Sequence, residues 1–231
     1  MKIGKYEIYK YPLKPIDSNM YAFIDDDKAL IIDPNENGEI IKLLEENRCT
    51  KLTVILTHEH FDHICGVNLL REYVDNNNGI CKVYAQQLCA EALQNSDDNL
   101  ARFFTALYIT HPEEERALAE AVFKPGYTCF ADVSFEDNYE INWAELKLIL
   151  KCTPGHSPGS ICIEIYDEKD SLLAVATGDS LILDTPVITR LPRGSKSDYK
   201  EKTRPYLKDI PLDTLILPGH GEAAIMEKFD F

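Results

Sequence analysis

The chain has 231 residues, 45% of them hydrophobic and 27% charged, and a formal net charge of −15 at pH 7. That length can bury a substantial core, and it is read as a single domain spanning 1–231. The acidic balance argues against nonspecific nucleic-acid binding and against attachment to an anionic membrane surface. Seven cysteines, an odd number without CxxC spacing, read as reduced thiols in the cytoplasm rather than as a disulfide framework. Met1–Tyr6 has no apolar core of a signal peptide, and no later run approaches the length of a membrane span.

The first 33 residues read as strands. Tyr6–Tyr9 alternates, Asn19–Ile24 follows a proline-bearing loop, and Ala29–Ile32 forms a third strand. The acidic turn Asp25-Asp26-Asp27 predicts that the last two pair antiparallel. Ile40, Ile41, Leu43 and Leu44 fall at helical spacing within 38–47, ahead of an apolar strand, Leu52–Leu56. A helix is expected from Asp62 to about Tyr73, ending before Asn76-Asn77-Asn78-Gly79, with a strand resuming at Lys82–Tyr84.

Residues 85–123 predict a helical insertion. Leu88, Cys89, Ala92 and Leu93 make one stripe, and Leu100, Phe103, Phe104 and Leu107 make a second. Pro112 followed by Glu113-Glu114-Glu115 reads as the first turn of a third helix. Such an insertion would serve as a lid over a site or as a homodimer contact. Strands are then expected at Tyr127–Phe135, Leu146–Cys152, Ser160–Tyr166 and Leu172–Thr177, a helix at 197–209, and a last strand at Thr214–Leu217.

Chemistry concentrates in three turns, each following a strand-like run. Thr57-His58-Glu59-His60-Phe61-Asp62-His63 places three histidines and two carboxylates within six positions. His156 lies in Thr153-Pro154-Gly155-His156-Ser157-Pro158-Gly159-Ser160, and His220 in Pro218-Gly219-His220-Gly221. Five of the six histidines are in these turns; His111 lies outside them and reads as a helix-start or surface residue. Imidazole and carboxylate suit zinc and its first-row neighbours. His58 and His60 would point apart on a helix, but on a turn leaving a strand both reach one ion. Asp62 and His63 would hold a second ion beside it. Glu59 is expected to point away, and Cys65 to be a small buried residue.

HxHxDH after a strand, then TPGHSPGS, then Gly178-Asp179, then PGHG resembles the metallo-β-lactamase superfamily, and within it the glyoxalase II (hydroxyacylglutathione hydrolase) branch. The resemblance runs from about Tyr9 to His220. It implies an α/β fold, a four-layer αββα sandwich with the site at one end of two sheets. It implies two divalent ions, zinc in the family's usage, with iron or manganese as alternatives. One ion would take His58, His60 and His156, the other Asp62, His63 and His220, with Asp179 bridging. Asp33, at the end of the third strand, would brace the metal loop. A hydroxide between the ions would attack the carbonyl of a small thioester, ester or lactone, with Asp62 and Asp179 as the catalytic carboxylates.

Eleven residues follow His220, so the resemblance is to a short form without the C-terminal helical domain that contacts glutathione. Substrate contacts are then expected from the basic cluster Arg190, Arg193 and Lys196 and from Phe104 and Tyr108 of the insertion. Two other functions share the motif. One is a persulfide dioxygenase-type oxidoreductase with a single iron on His58, His156 and Asp179. The other is a non-catalytic metal-binding protein.

Overall fold

The computed structural model describes residues 1–14 and 16–230. A short hairpin, β1 (Lys2–Ile3) and β2 (Tyr6–Glu7), leads into the first sheet. That sheet holds β3 (Tyr9–Leu13), β4 (Ser18–Asp25), β5 (Lys28–Ile32), β6 (Lys51–Ile55), β7 (Ile80–Gln86) and β8 (Val133–Phe135), in that spatial order. The hairpins β3–β4 and β4–β5 are antiparallel, whereas β5 to β8 run parallel. Parallel neighbours need crossovers. These are supplied by α1 (Glu39–Glu46), by α2 (Phe61–Ile64) with α3 (Val67–Asn76), and by the segment after β7.

The second sheet holds β9 (Tyr139–Trp143), β10 (Leu146–Cys152), β11 (Ile161–Tyr166), β12 (Leu172–Gly178), β13 (Leu215–Pro218) and β14 (Ala224–Ile225). Only β12–β13 is parallel. Its crossover carries α6 (Lys196–Asp198), a π turn at Tyr199–Thr203 and α7 (Arg204–Lys208).

Alternation along the strands decides the layering. Tyr21, Phe23, Leu30 and Ile32 point between the sheets, against Leu148, Leu150, Ile163 and Ala176. Their neighbours Met20, Ala22, Ala29 and Ile31 point outward, onto Ile40, Leu44, Leu70 and Val74 of α1 and α3. On the far side, Cys162, Val175 and Ile216 meet Leu207 and Ile210. Helix, sheet, sheet, helix is the expected αββα sandwich.

Three expectations change in detail. The helix foreseen from Asp62 to Tyr73 is two helices, α2 and α3, broken at Cys65–Gly66. The Gly66 N–H bonds to the Pro34 carbonyl at 2.9 Å, and a Cβ there would overlap the Asn35 backbone. Only Val133–Phe135 of the strand foreseen at Tyr127–Phe135 pairs. The stretch before it is irregular because its groups serve the helices: Tyr127 Oη donates to the Ile64 carbonyl at 2.9 Å, and Cys129 N–H to the Leu93 carbonyl at 3.1 Å. The insertion holds α4 (Gln87–Ala92), a 3₁₀ segment (Ala101–Tyr108) and α5 (Glu113–Val122), so its middle stripe is 3₁₀ rather than α. His111 is exposed just before α5, with Nδ1 2.7 Å from Glu115 Oε2. Among the described residues, no helix is long and apolar enough to cross a membrane.

Gly66→Ala should lower stability by about 1–3 kcal/mol, because a backbone cannot yield as a side-chain tip does. Thermal unfolding followed by circular dichroism checks this. An unchanged midpoint would mean that the α2–α3 break does not need glycine.

Candidate metal centre

The three motif turns leave their strands at the same end of the sandwich. Residues 57–63 follow β6, Asp179 follows β12, His220 follows β13, and His156 sits between β10 and β11. Donor atoms of His58, His60 and His156 lie within 4.8 Å of one another, as do those of Asp62, His63 and His220. Asp179 touches both groups. Its Oδ2 is 3.5 Å from His156 Nε2 and from His220 Nε2, and its Oδ1 is 3.5 Å from His63 Nε2. Asp62 Oδ2 lies 3.3 Å from the Nε2 atoms of both His63 and His220. All seven side chains foreseen as ligands are thus gathered. A Cβ at Gly219 would strike Asp179 Oδ1, so glycine there lets the His220 turn close over the carboxylate.

Backbone and side-chain acceptors fix the imidazole tautomers. His63 Nδ1 donates to Asp33 Oδ2 at 3.1 Å, His156 Nδ1 to the Ile188 carbonyl at 2.8 Å, and His220 Nδ1 to the Ile16 carbonyl at 3.1 Å. With Nδ1 committed, each Nε2 presents a lone pair to the centre. His58 is set by a relay: its Nδ1 is 3.0 Å from Thr57 Oγ1, which donates to Asp33 Oδ2 at 2.6 Å. Asp33 Oδ1 also accepts the Thr57 N–H at 2.7 Å. Asp33, His58 and His63 form a third close group. The Asp33 oxygens are already occupied, so Asp33 braces the loop, as expected.

The donor set fits a dication. His58 Nε2, His60 Nε2 and Asp179 Oδ1 are buried without a hydrogen-bond partner. His60 Nδ1 faces His156 Nε2 at 2.9 Å, two basic nitrogens in hydrogen-bond range. Burial, then the neighbouring imidazoles, pushes His58 well below the usual range and His60 down to about 3; burial also lowers His156. Burial opposes charge on His63 and His220 as well, but the Asp62 and Asp179 carboxylates outweigh it and raise both. Burial likewise opposes ionisation of Asp62 and Asp179, and the surrounding imidazoles outweigh it, holding both carboxyls low.

Above the centre opens a cavity of about 480 Å³. Phe104 lines it; Tyr108 does not, being 7% exposed and packed in an aromatic cluster 5.6 Å from Phe123. Arg190, Arg193 and Lys196 do not line it either. Arg193 turns to Glu59, 3.8 Å away, and Lys196 lines a separate hollow. Glu59 points away from the centre but is buried, and it accepts from Ser157 Oγ at 2.7 Å, tying the first motif turn to the second. Sequence reasoning missed Ser157 and Asn19. Asn19 Nδ2 donates to the Pro218 and Gly221 carbonyls at 3.0 and 2.9 Å, holding the His220 turn. A polar residue opening an apolar strand was its only signal. Cys65 is buried, with its thiol pushed up by burial.

A model of the metallo-beta-lactamase superfamily matches residues 13–220, and the chain belongs to that superfamily. It is 32% identical over 213 residues to a probable metallo-hydrolase, YqgX, of Bacillus subtilis (strain 168), covering 92% of this chain and 89% of that protein. The crystal structure of BLEG-1, a B3 metallo-beta-lactamase, superposes with a TM-score of 0.74 at 26% identity, over 96% of this chain and 95% of that one. A hydroxyacylglutathione hydrolase of Legionella pneumophila (strain Paris) is 40% identical over 70 residues, 29% of this chain and 26% of that protein.

Thr57→Val keeps the shape of residue 57 but removes the hydroxyl relay to His58. It should weaken metal affinity by about 10–100-fold, measured by competition with a chelator. Unaltered affinity would show that the relay does not set the ligand. The pKa directions also predict an unequal proton count at pH 7. The carboxylates raise His63 and His220, so an ion entering at Asp62, His63 and His220 competes with protons there, whereas burial lowers His58, His60 and His156 and leaves less proton to displace. Calorimetry in two buffers of different ionisation enthalpy should show more proton release in one binding phase than in the other, with that phase's affinity rising more steeply as pH rises. Equal release in both phases would contradict the assignment of protons.

Proposed function

We propose that this chain is a metal-dependent hydrolase of small thioesters, esters or lactones with a binuclear site. One ion would be held by His58, His60 and His156, the other by Asp62, His63 and His220, and Asp179 would be shared. The observation that carries this reading is the span of Asp179, whose two oxygens reach imidazoles of both groups. Zinc fits the nitrogen- and oxygen-rich donor set, with iron or manganese as alternatives.

Divalent ions bound here supply Lewis acidity and the means to ionise water near neutral pH. The chain's own groups do the rest. Asp62 and Asp179 both line the cavity and are held ionised by the imidazoles. A proton leaving a water in the cavity therefore has a carboxylate to receive it. Asp33, Thr57 and the Ile16 and Ile188 carbonyls keep the imidazoles in the ligating tautomer and orientation.

The local similarity to a hydroxyacylglutathione hydrolase supports a thioesterase, and the likeness to a metallo-hydrolase over most of the chain supports hydrolysis in general. A cytoplasmic setting is in keeping with seven cysteines, none of them in a disulfide.

The test is turnover of a panel of thioesters, esters, lactones and β-lactams by the metal-loaded protein. His58→Ala and Asp179→Ala should abolish hydrolysis while the far-ultraviolet dichroism stays unchanged. Full activity in both variants would sink the assignment.

A further inference from the structure

The cavity over the metal centre has a chemical character that the ligand set does not dictate. Its walls come from two segments: Phe103, Phe104 and Leu107 on the 3₁₀ side, and Ile182, Leu183 and Leu191 on the loop after β12. Thr185 apart, the polar side chains that line it are His60, Asp62, His156, Asp179 and His220. Among the described residues, no lysine or arginine lines it.

The 3₁₀ wall is fixed to the metal loop. Asn99 is fully buried, and its carbonyl accepts from the Phe61 N–H at 2.9 Å, beside Asp62 and His63. The Asn99 side chain donates to the Tyr127 carbonyl at 3.0 Å and accepts the Ala101 N–H at 2.9 Å. Leu100, the next residue, is held at φ 64°, a left-handed conformation that a leucine adopts only when its surroundings impose it. Phe103 and Leu107 nonetheless remain 50% and 57% exposed. They form an apolar rim that a bound group would cover.

We propose that the cavity selects a substrate whose portion next to the cleaved carbonyl is uncharged and apolar, several carbons long, in preference to an anionic peptide thiol such as glutathione. The chemical step rests on the hydrolase reading above; the selectivity is a property of the walls. Each methylene moved from water onto such walls raises affinity about fourfold. A carboxylate carried away from the metal centre and against these walls loses its water and meets no lysine or arginine.

The first test needs no turnover. Straight-chain hydroxamates from acetyl to octanoyl are titrated into metal-loaded protein by calorimetry. Affinity should rise about fourfold per methylene over the first several carbons. A flat series, or no binding at any length, overturns the proposal. Phe103→Ser and Leu107→Ser should each reduce the slope; a slope unchanged in both variants also overturns it.

The second test locates the apolar group. Thioesters are lengthened on the acyl side with a fixed small thiol, or on the thiol side with a fixed acetyl group. A rise of kcat/KM in either series supports the proposal and names the side. A preference for lactoylglutathione over both series overturns it. If no thioester, ester or lactone is cleaved while the hydroxamate slope is present, the hydrolase reading fails and the apolar selectivity stands.

Discussion

The structure depends on a single electrostatic constraint: five imidazoles and two carboxylates converge in a volume nearly closed to water. Left to themselves, buried polar atoms without partners cost about 1–3 kcal/mol each. His58 Nε2, His60 Nε2 and Asp179 Oδ1 are three such atoms. The ligating nitrogens of His58, His63, His156 and His220 are aimed because the opposite nitrogen of each ring is tied to Thr57, Asp33 or a backbone carbonyl. Asp33 is the centre of that tying. It holds the Thr57 amide and hydroxyl and His63, and through Thr57 it sets His58. The fold spends local stability to keep a site whose atoms are complementary to positive charge.

The two sheets explain how so few connections reach one place. Parallel strands β5 to β8, and the β12–β13 pair, bring several strand ends to one edge, where loops are free to carry function. The inner core between the sheets fixes the distance between the edges. Glu59 with Ser157, and Asn19 with the His220 turn, then bridge from one sheet's loops to the other's. The result is a cluster assembled from both sheets, with an insertion wall clamped to it through Asn99 and Phe61.

The ligand-bearing turns were legible in the sequence because their residue types are rare and tightly spaced. Five of six histidines in three turns left little else for them to do. The sandwich was legible through the resemblance and the order of strands and helices, and the continuous apolar runs Met20–Phe23 and Ala29–Ile32 fit a sheet buried on both faces. The break at Gly66 was not, since the helical pattern runs on through it and only the Asn35 backbone forbids a side chain. Nor was the fate of the basic cluster. Arg193 is drawn to Glu59, a carboxylate 134 positions away in sequence by their numbers, and no local pattern encodes that attraction. Tyr127–Ala131 looked like a strand because its apolar residues are real, but Tyr127 and Cys129 pack into the helical side of the core, and sheet pairing starts only at Asp132, whose N–H bonds to the Val83 carbonyl.

The most direct measurement is the metal content of each chain by elemental analysis, on protein purified without added metal. Two equivalents per chain, of zinc or of a zinc–iron mixture, are the predicted result. One iron without zinc would contradict the binuclear account and favour oxygen-dependent sulfur chemistry at His58, His156 and Asp179. No retained metal, even after its addition, would contradict the metal centre itself.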